Sequence, residues 1–289
     1  MNLGFWAILF ASFLWGTTGV VASFAPHLSP FAVGAAAMGG GILQALFAIR
    51  SLKREKFSLI QSRKSIVLGG LAVAVYPLAF YVSMHYAGIT IGTVISIGSA
   101  PLFSALLERF FDAKKLTLTW FLSVVIGVFG VVLLSMGEVA HHLGNSKNLG
   151  IGLGVLAGIS YALYSWLARR VMHSGISSKA TMGAIFGIGG IVLLPTLAFT
   201  GENLFENPTH ICVITYMTIF PMFLGYVLFG YGLKKVNAST ALTITLSEPL
   251  IAALLATLIV KETLSFVGGI GMILIILSIF IVSYQPKIQ

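Results

Sequence analysis

The chain predicts an all-α polytopic membrane protein of ten transmembrane helices, built as two inverted five-helix repeats. Three observations lead there. Hydrophobic residues make up 57% of the 289 positions and charged residues only 9%, whereas a soluble domain is roughly one quarter charged. The apolar residues form ten runs of the ~20 residues that a helix needs to cross a hydrocarbon core. The basic residues gather in alternate connections between those runs. The runs are too long, and too evenly apolar, for the alternating strands of an outer-membrane barrel.

In chain order the expected spans are 3–23, 31–49, 65–85, 89–110, 117–135, 149–171, 178–199, 211–233, 238–260 and 264–284. The first lacks a basic leader and a small-residue cleavage site, so it reads as a membrane helix and not as a removable signal. The second carries Gly34 and Gly39-Gly40-Gly41, the seventh Gly183, Gly187 and Gly190, and the tenth Gly268, Gly269 and Gly271. Glycines at such spacing let helix backbones approach closely. The third holds Pro77 among Tyr76, Phe80 and Tyr81 and ends at His85, expected in water at the interface. The fourth holds Pro101 and finishes at Glu108, Arg109 and Asp112, expected to form a solvated ionic cluster. Trp120 opens the fifth; with Trp6 and Tyr284 it has the place of an interfacial anchor. The sixth starts at Gly150, Gly152 and Gly154, which form no dinucleotide loop because no strand precedes them. It continues through Tyr161, Tyr164 and Trp166. The eighth contains Pro221 and Tyr226, and the ninth Glu248-Pro249.

With both termini on the cytoplasmic face, every lysine and arginine except Lys147 and Lys261 falls on an inner connection or the inner tail. One miscounted span would scramble that partition, so the bias supports count and orientation together. It also accounts for the net charge of +9 without a nucleic-acid partner. Cys212 is the only cysteine, which excludes a disulfide framework and a cysteine-based metal site. His141-His142 has no third ligand nearby, so neither a metal nor a cofactor is expected.

The chain repeats itself. Ile95 to Leu102 aligns with Thr243 to Leu250 at an offset of 148, which brings Pro101 onto Pro249 and Ala100 onto Glu248. The same offset relates Lys115-Leu116 to Thr263-Leu264. Leu3-Gly4 is followed by Trp15, and Leu149-Gly150 by Tyr161, at the same distance. The expected units are residues 1–140 and 149–285, each of five spans. An odd span number inverts the second copy in the bilayer, and inverted repeats place substrate sites near the midplane.

These features together resemble the drug/metabolite transporter superfamily in its EamA-type branch. The resemblance is carried by the ten spans, the two repeats, Trp15-Gly16 in the first helix, Glu248-Pro249 in the ninth and Lys261-Glu262-Thr263-Leu264 after it. Asp112-Ala113-Lys114-Lys115 departs from the usual Gly-Glu-Arg or Gly-Glu-Lys turn of the first half. The resemblance implies a cavity lined by helices 1, 3, 4, 6, 8 and 9, with helices 5 and 10 set apart. Because the superfamily handles amino acids, cationic drugs and other metabolites, it does not choose a substrate.

At 1.5 Å rise per residue, Trp15, Ala100, Tyr161 and Glu248 all fall near the bilayer midplane. An acidic side chain there costs from ~3 kcal/mol upward, so Glu248 is the first candidate for a proton- or substrate-binding group. A structural alternative also exists. Pro249 has no N–H, so the Thr245 carbonyl loses its helical partner, and a protonated Glu248 would satisfy it. Trp15, Thr18, Tyr81, Tyr161, Tyr164 and Tyr226 are the candidate pocket wall, and aromatic faces beside one carboxylate suit an organic cation or an amino acid. Pro77, Pro101, Pro221 and Pro249 are candidates for hinges or cavity shape.

The expected function is secondary active transport of a small metabolite across the cytoplasmic membrane by alternating access, as proton-coupled export through Glu248. Import of an organic cation such as a quaternary amine is the alternative, followed by a passive channel. No Walker loop is present to couple ATP. An intramembrane enzyme is excluded because Ser247 and Glu248 diverge by ~100° on a helix and no histidine lies at midplane. The expected partners are a small-molecule substrate, protons and the lipid bilayer.

Overall fold

The structure is a computed structural model that describes residues 3–87, 89–136, 147–261 and 263–284; His141-His142 and Glu262 lie outside them. Nine helices among the described residues are long and apolar enough to cross a membrane: α1 (Leu3–Ser23), α3 (Arg63–Ala87), α4 (Ile91–Phe111), α5 (Leu118–Met136), α6 (Lys147–His173), α7 (Ser178–Thr200), α8 (Pro208–Leu233), α9 (Ala238–Val260) and α10 (Phe266–Ser283). The second expected span is a shorter apolar helix, α2 (Phe31–Phe47). It bends at Met38, immediately before Gly39-Gly40-Gly41. The glycines serve contact with α7. A Cβ on Gly41 would strike the Phe186 carbonyl, and one on Gly190 would lie 2.9 Å from the Met38 carbonyl.

This is an all-α polytopic membrane protein. Phe110, Phe199 and Phe266 are among many large apolar side chains left on its outer surface. Such a belt would be a liability in water and is required against lipid. Inside, α6 packs against α3 and α4, α2 and α3 pack on α7, and α1 packs on α8 and α9. Helices α5 and α10 lie along each other, with Gly130 against the Gly271 carbonyl.

Trp120 corrects one expectation. It is only 4% exposed, not interfacial. Trp120, Val124, Gly127 and Val131 fall on one stripe of α5 at helical spacing, and all are buried. Helix phase, not proximity to the span end, decides its position.

Two connections repeat in detail at the offset seen in the sequence. After α4, Ala113 adopts φ 52°, and after α9, Lys261 adopts φ 66°. Each is the left-handed residue that ends a helix. Then the Thr117 hydroxyl accepts the Trp120 N–H at 3.2 Å, and the Ser265 hydroxyl accepts the Gly268 N–H at 3.0 Å. The departure at Asp112-Ala113 therefore keeps the turn.

Candidate functional site

The site begins with a break in α9. One helical segment ends at Ile244 and the next starts at Ser247. Pro249 falls in the first turn of the second segment, where a missing N–H is tolerated. The chain tightens across the break. The Leu246 N–H donates to the Thr243 carbonyl at 3.2 Å, and the Glu248 N–H donates to the Thr245 carbonyl at 2.9 Å. The Thr245 carbonyl is thus satisfied by backbone. It therefore does not depend on the Glu248 side chain for a partner.

Glu248 is half-buried, whereas Ala241 to Ser247 before it are all buried. Its orientation follows from its neighbours. Ser247, Leu250 and Ile251 line an apolar groove of about 530 Å³ between α1, α9 and α10, together with Phe10, Phe13 and Phe280. That groove is on the lipid side. Glu248 is offset from Ser247 by ~100° around the helix and is not among the residues that line the groove. Its field acts on Tyr76, Tyr81, Tyr161 and Tyr226. Among the described residues, no hydrogen-bond donor and no cation acts on its carboxyl. Between groove and interior, Gly16 of α1 packs on α9; a Cβ there would sit 3.1 Å from the Glu248 carbonyl.

The aromatic residues do converge. Tyr161 and Tyr164 stack at 5.3 Å between ring centres, and Tyr76 lies 5.0 Å from Tyr161 and 6.3 Å from Tyr164. The Tyr164 hydroxyl lies 3.4 Å from that of Tyr226. Tyr226 is 4.7 Å from Trp15 and 4.2 Å from Phe186 between centres. The Tyr161 hydroxyl donates to the Thr245 hydroxyl at 3.4 Å, at the α9 break. Tyr81, half-buried, sits one and a half turns from Tyr76 and packs on Phe31 and Phe80. Rings from six helices, α1, α2, α3, α6, α7 and α8, thus join one aromatic cluster beside the α9 break.

Two of the sequence-predicted residues take unexpected partners. The Trp15 indole N–H donates to the Pro221 carbonyl at 2.9 Å, and its ring lies on Gly225, where a Cβ would meet Nε1 at 2.8 Å. The Gln44 side chain donates to the next carbonyl, Met222, at 2.9 Å. Around Pro221, α8 widens into a π-helical stretch, Thr218–Gly225, and Trp15 and Gln44 satisfy carbonyls of that stretch. Sequence reading passed over Gln44, although a lone amide in an apolar helix is the signal that would have found it. Thr18 turns its hydroxyl onto the Trp15 carbonyl at 2.7 Å, while its neighbour Thr17 reaches the Tyr216 hydroxyl at 2.9 Å. Of the remaining prolines, Pro77 and Pro101 lie inside helices that continue through them. Pro221 and Pro249 lie at irregular backbone.

The two ends of this cluster differ. Toward the basic loops, Phe229, Leu233, Ala238, Ala241 and Leu242 are completely buried. Toward the other end, Gly19 lies one turn beyond Trp15 on the same face of α1, exposed, and a Cβ there would meet nothing within 4 Å. Its neighbours Thr17 and Thr18 are half-buried, as is Tyr216, which is bonded to Thr17.

Comparison with known proteins agrees with this architecture. The sequence model of the EamA-like transporter family matches twice, over residues 2–136 and 148–284. The uncharacterized transporter YwfM of Bacillus subtilis (strain 168) is 31% identical, with 98% of this chain and 94% of the relative covered. An uncharacterized transporter of Archaeoglobus fulgidus is 26% identical over 98% of this chain and 96% of its own. The uncharacterized inner membrane transporter YicL of Salmonella typhimurium is 25% identical over 97% and 95%. One solved crystal structure superposes with a TM-score of 0.79 at 18% identity, covering 96% of this chain and 94% of that one.

Proposed function

Because the chain belongs to the EamA-like transporter family, we propose that it carries a small cationic or zwitterionic metabolite across the cytoplasmic membrane by alternating access, with Glu248 as the shared binding point for proton and substrate. The observation that carries this reading is the Glu248 carboxyl itself. It is half-buried, lies within electrostatic range of four tyrosines from α3, α6 and α8, and has no ionic partner among the described residues. A carboxylate so placed is stable when it holds a proton or a ligand cation. The tyrosine faces add cation–π attraction for an ammonium group. An amino acid or related amine fits this chemistry, as does an organic cation.

The double family match and the paired turns at Ala113 and Lys261 support two repeats, residues 1–140 and 149–285, of five helices each, the second inverted. Counting α2 as a span gives ten helices and places both termini on the face of the basic loops, which is cytoplasmic by the positive-inside rule. The names of inner-membrane relatives support the same location. In this frame the open space at Gly19 faces outward, and the sealed end faces the cytoplasm. An outside proton reaches Glu248, the cavity changes sides, and the proton leaves as substrate from inside takes its place, which gives export. Import of a quaternary amine through the same box is the second reading, favoured by the aromatic wall.

The test is binding and flux in reconstituted vesicles with a panel of amino acids, primary amines and quaternary amines. A hit detected by thermal shift is carried into counterflow under an imposed pH gradient. The expected result is pH-driven flux that Glu248→Gln abolishes. Undiminished flux and unchanged pH dependence in that variant would falsify the role assigned to Glu248.

A further inference from the structure

At the end of the bundle that carries the basic loops, Glu108 closes α4. Its carboxylate is 1% exposed, which corrects the solvated cluster expected there. Both oxygens are engaged across the molecule. Oε1 accepts the Ala238 N–H at 2.8 Å and lies 3.4 Å from Lys114 Nζ; Oε2 accepts the Ser239 hydroxyl at 2.6 Å. The same turn is held from two further points. Lys114 Nζ donates to Asn237 Oδ1 at 2.6 Å, and Arg169 Nε donates to the Val236 carbonyl at 2.7 Å. The ends of α4 and α6 therefore grip the connection between α8 and α9.

What is gripped matters. The first segment of α9, Ala238–Ile244, has Ala238, Ala241, Leu242 and Ile244 completely buried, and it plugs the bundle between the basic loops and the tyrosines. Its near end is Ala238, held by Glu108. Its far end is the Thr245–Leu246 break, two residues from Glu248. A swing there costs the few local bonds of the break, Leu246 N–H to the Thr243 carbonyl and Glu248 N–H to the Thr245 carbonyl, and not those of a continuous helix. A buried carboxylate paired to two neutral donors and one lysine is strong enough to hold one state and, being a small set of bonds, can be released as a unit.

We propose that Glu108 is the latch of the cytoplasmic gate: its carboxylate holds Ala238 and Ser239 while the outer side is open, and their release lets the first segment of α9 swing about the Thr245–Leu246 break. This rests on the alternating-access reading. The latch couples the two ends of one short lever, so a change in charge or occupancy at Glu248 is felt where Glu108 holds on.

The experiment places single thiol reporters in a Cys212→Ser background. Ala241→Cys reads the sealed side and Gly19→Cys the open side, each followed by labelling with a membrane-impermeant maleimide in vesicles of known orientation. Glu108→Ala is expected to raise labelling at the inner reporter about tenfold and to lower it at the outer reporter in step. Ser239→Ala, which removes one of the bonds, is expected to act in the same direction by about threefold, and it carries the test if Glu108→Ala does not fold. A rise at the inner reporter with no fall at the outer one means local fraying and overturns the latch. So does unchanged labelling in both variants while the wild type trades inner for outer labelling on a pH step. If the wild-type reporters do not trade under a pH step or any member of the amine panel, the alternating-access reading itself fails.

Discussion

The segment from α4 into α5 and the segment from α9 into α10 have the same frame and opposite chemistry. Each ends its first helix in a left-handed residue, Ala113 or Lys261, and starts the next under a hydroxyl cap, Thr117 or Ser265. Inside that frame the acids are exchanged. Ala100 is completely buried in α4 and continuous with its helix, where the second copy has half-buried Glu248 beside a break. Conversely Glu108 is the buried acid of α4, where the second copy has Ala256. The frame is set by turn geometry, which both copies need equally. The acids differ between the copies: one stands beside the α9 break, and one is bonded to a turn of the opposite half.

The largest expected effect breaks that division. Glu248→Gln should lower proton-driven flux by about a hundredfold or more, close to ~3 kcal/mol of lost driving interaction, while leaving the fold intact. Moving the acid to the matching position, as Ala100→Glu with Glu248→Ala, should not restore it. Ala100 has no exposed surface, so the transplanted carboxyl meets packed side chains instead of the tyrosine cluster. Flux restored by the double variant would show that the two positions are equivalent after all. A smaller effect tests the irregular backbone beside the site. Trp15→Phe keeps an aromatic ring, though a smaller one, and leaves the buried Pro221 carbonyl without its donor, which should destabilise the protein by about 1–3 kcal/mol or more in thermal melts in detergent. A Trp15→Phe variant as stable as wild type would mean that the π-helical stretch of α8 does not need the indole N–H.

How far the sequence foretold this follows from which forces act locally. The spans were legible because lipid makes apolar length the dominant signal, and the boundaries of α3, α6, α9 and α10 fall within a few residues of expectation. The Glu248-Pro249 pair marked both the acid and the irregular backbone, since a mid-membrane carboxyl and a missing N–H are each costly wherever they occur. What stayed hidden depended on partners far along the chain. Glu108 reads as a solvated helix end until Ala238, 130 residues later, supplies the N–H that makes its burial tolerable. Trp15 reads as a pocket wall, and nothing in the sequence signals that its N–H bonds the Pro221 carbonyl, 206 residues later. The interruption of α2 at Met38 and the close approach of Gly41 to the α7 backbone are likewise not revealed by composition alone.

The shared frame gives the next, smaller test. Thr117→Ala and Ser265→Ala each remove one N-cap acceptor and should each lower stability by about 1 kcal/mol, equally in the two copies. A difference well beyond that between them, measured by denaturant-dependent unfolding in mixed micelles, would mean that one connection bears on the gate and is not a simple cap.

The smallest effect concerns a second carboxylate that behaves like Glu108 without its burial. Glu55 reaches from the connection after α2 to accept the Ser177 N–H at 2.7 Å, at the start of α7, and it also pairs with Arg54 at 3.0 Å. Burial pushes its carboxyl upward, but the hydrogen bonds from Ser177 and Arg54 outweigh that and hold it below its ordinary value of 4.5. A carboxyl whose folded value is depressed stabilises the fold above its unfolded value, and it loses that contribution as pH falls through the folded value. Glu55→Gln should therefore lower the melting temperature by the same small amount at every pH above about 5.5, and the gap to wild type should close below pH 4.5. Because Glu55 keeps some solvent contact and holds no segment of α9, it should shift neither thiol reporter. Altered labelling at Ala241→Cys in that variant would move the gate from one buried latch to the whole row of carboxylates on the basic face.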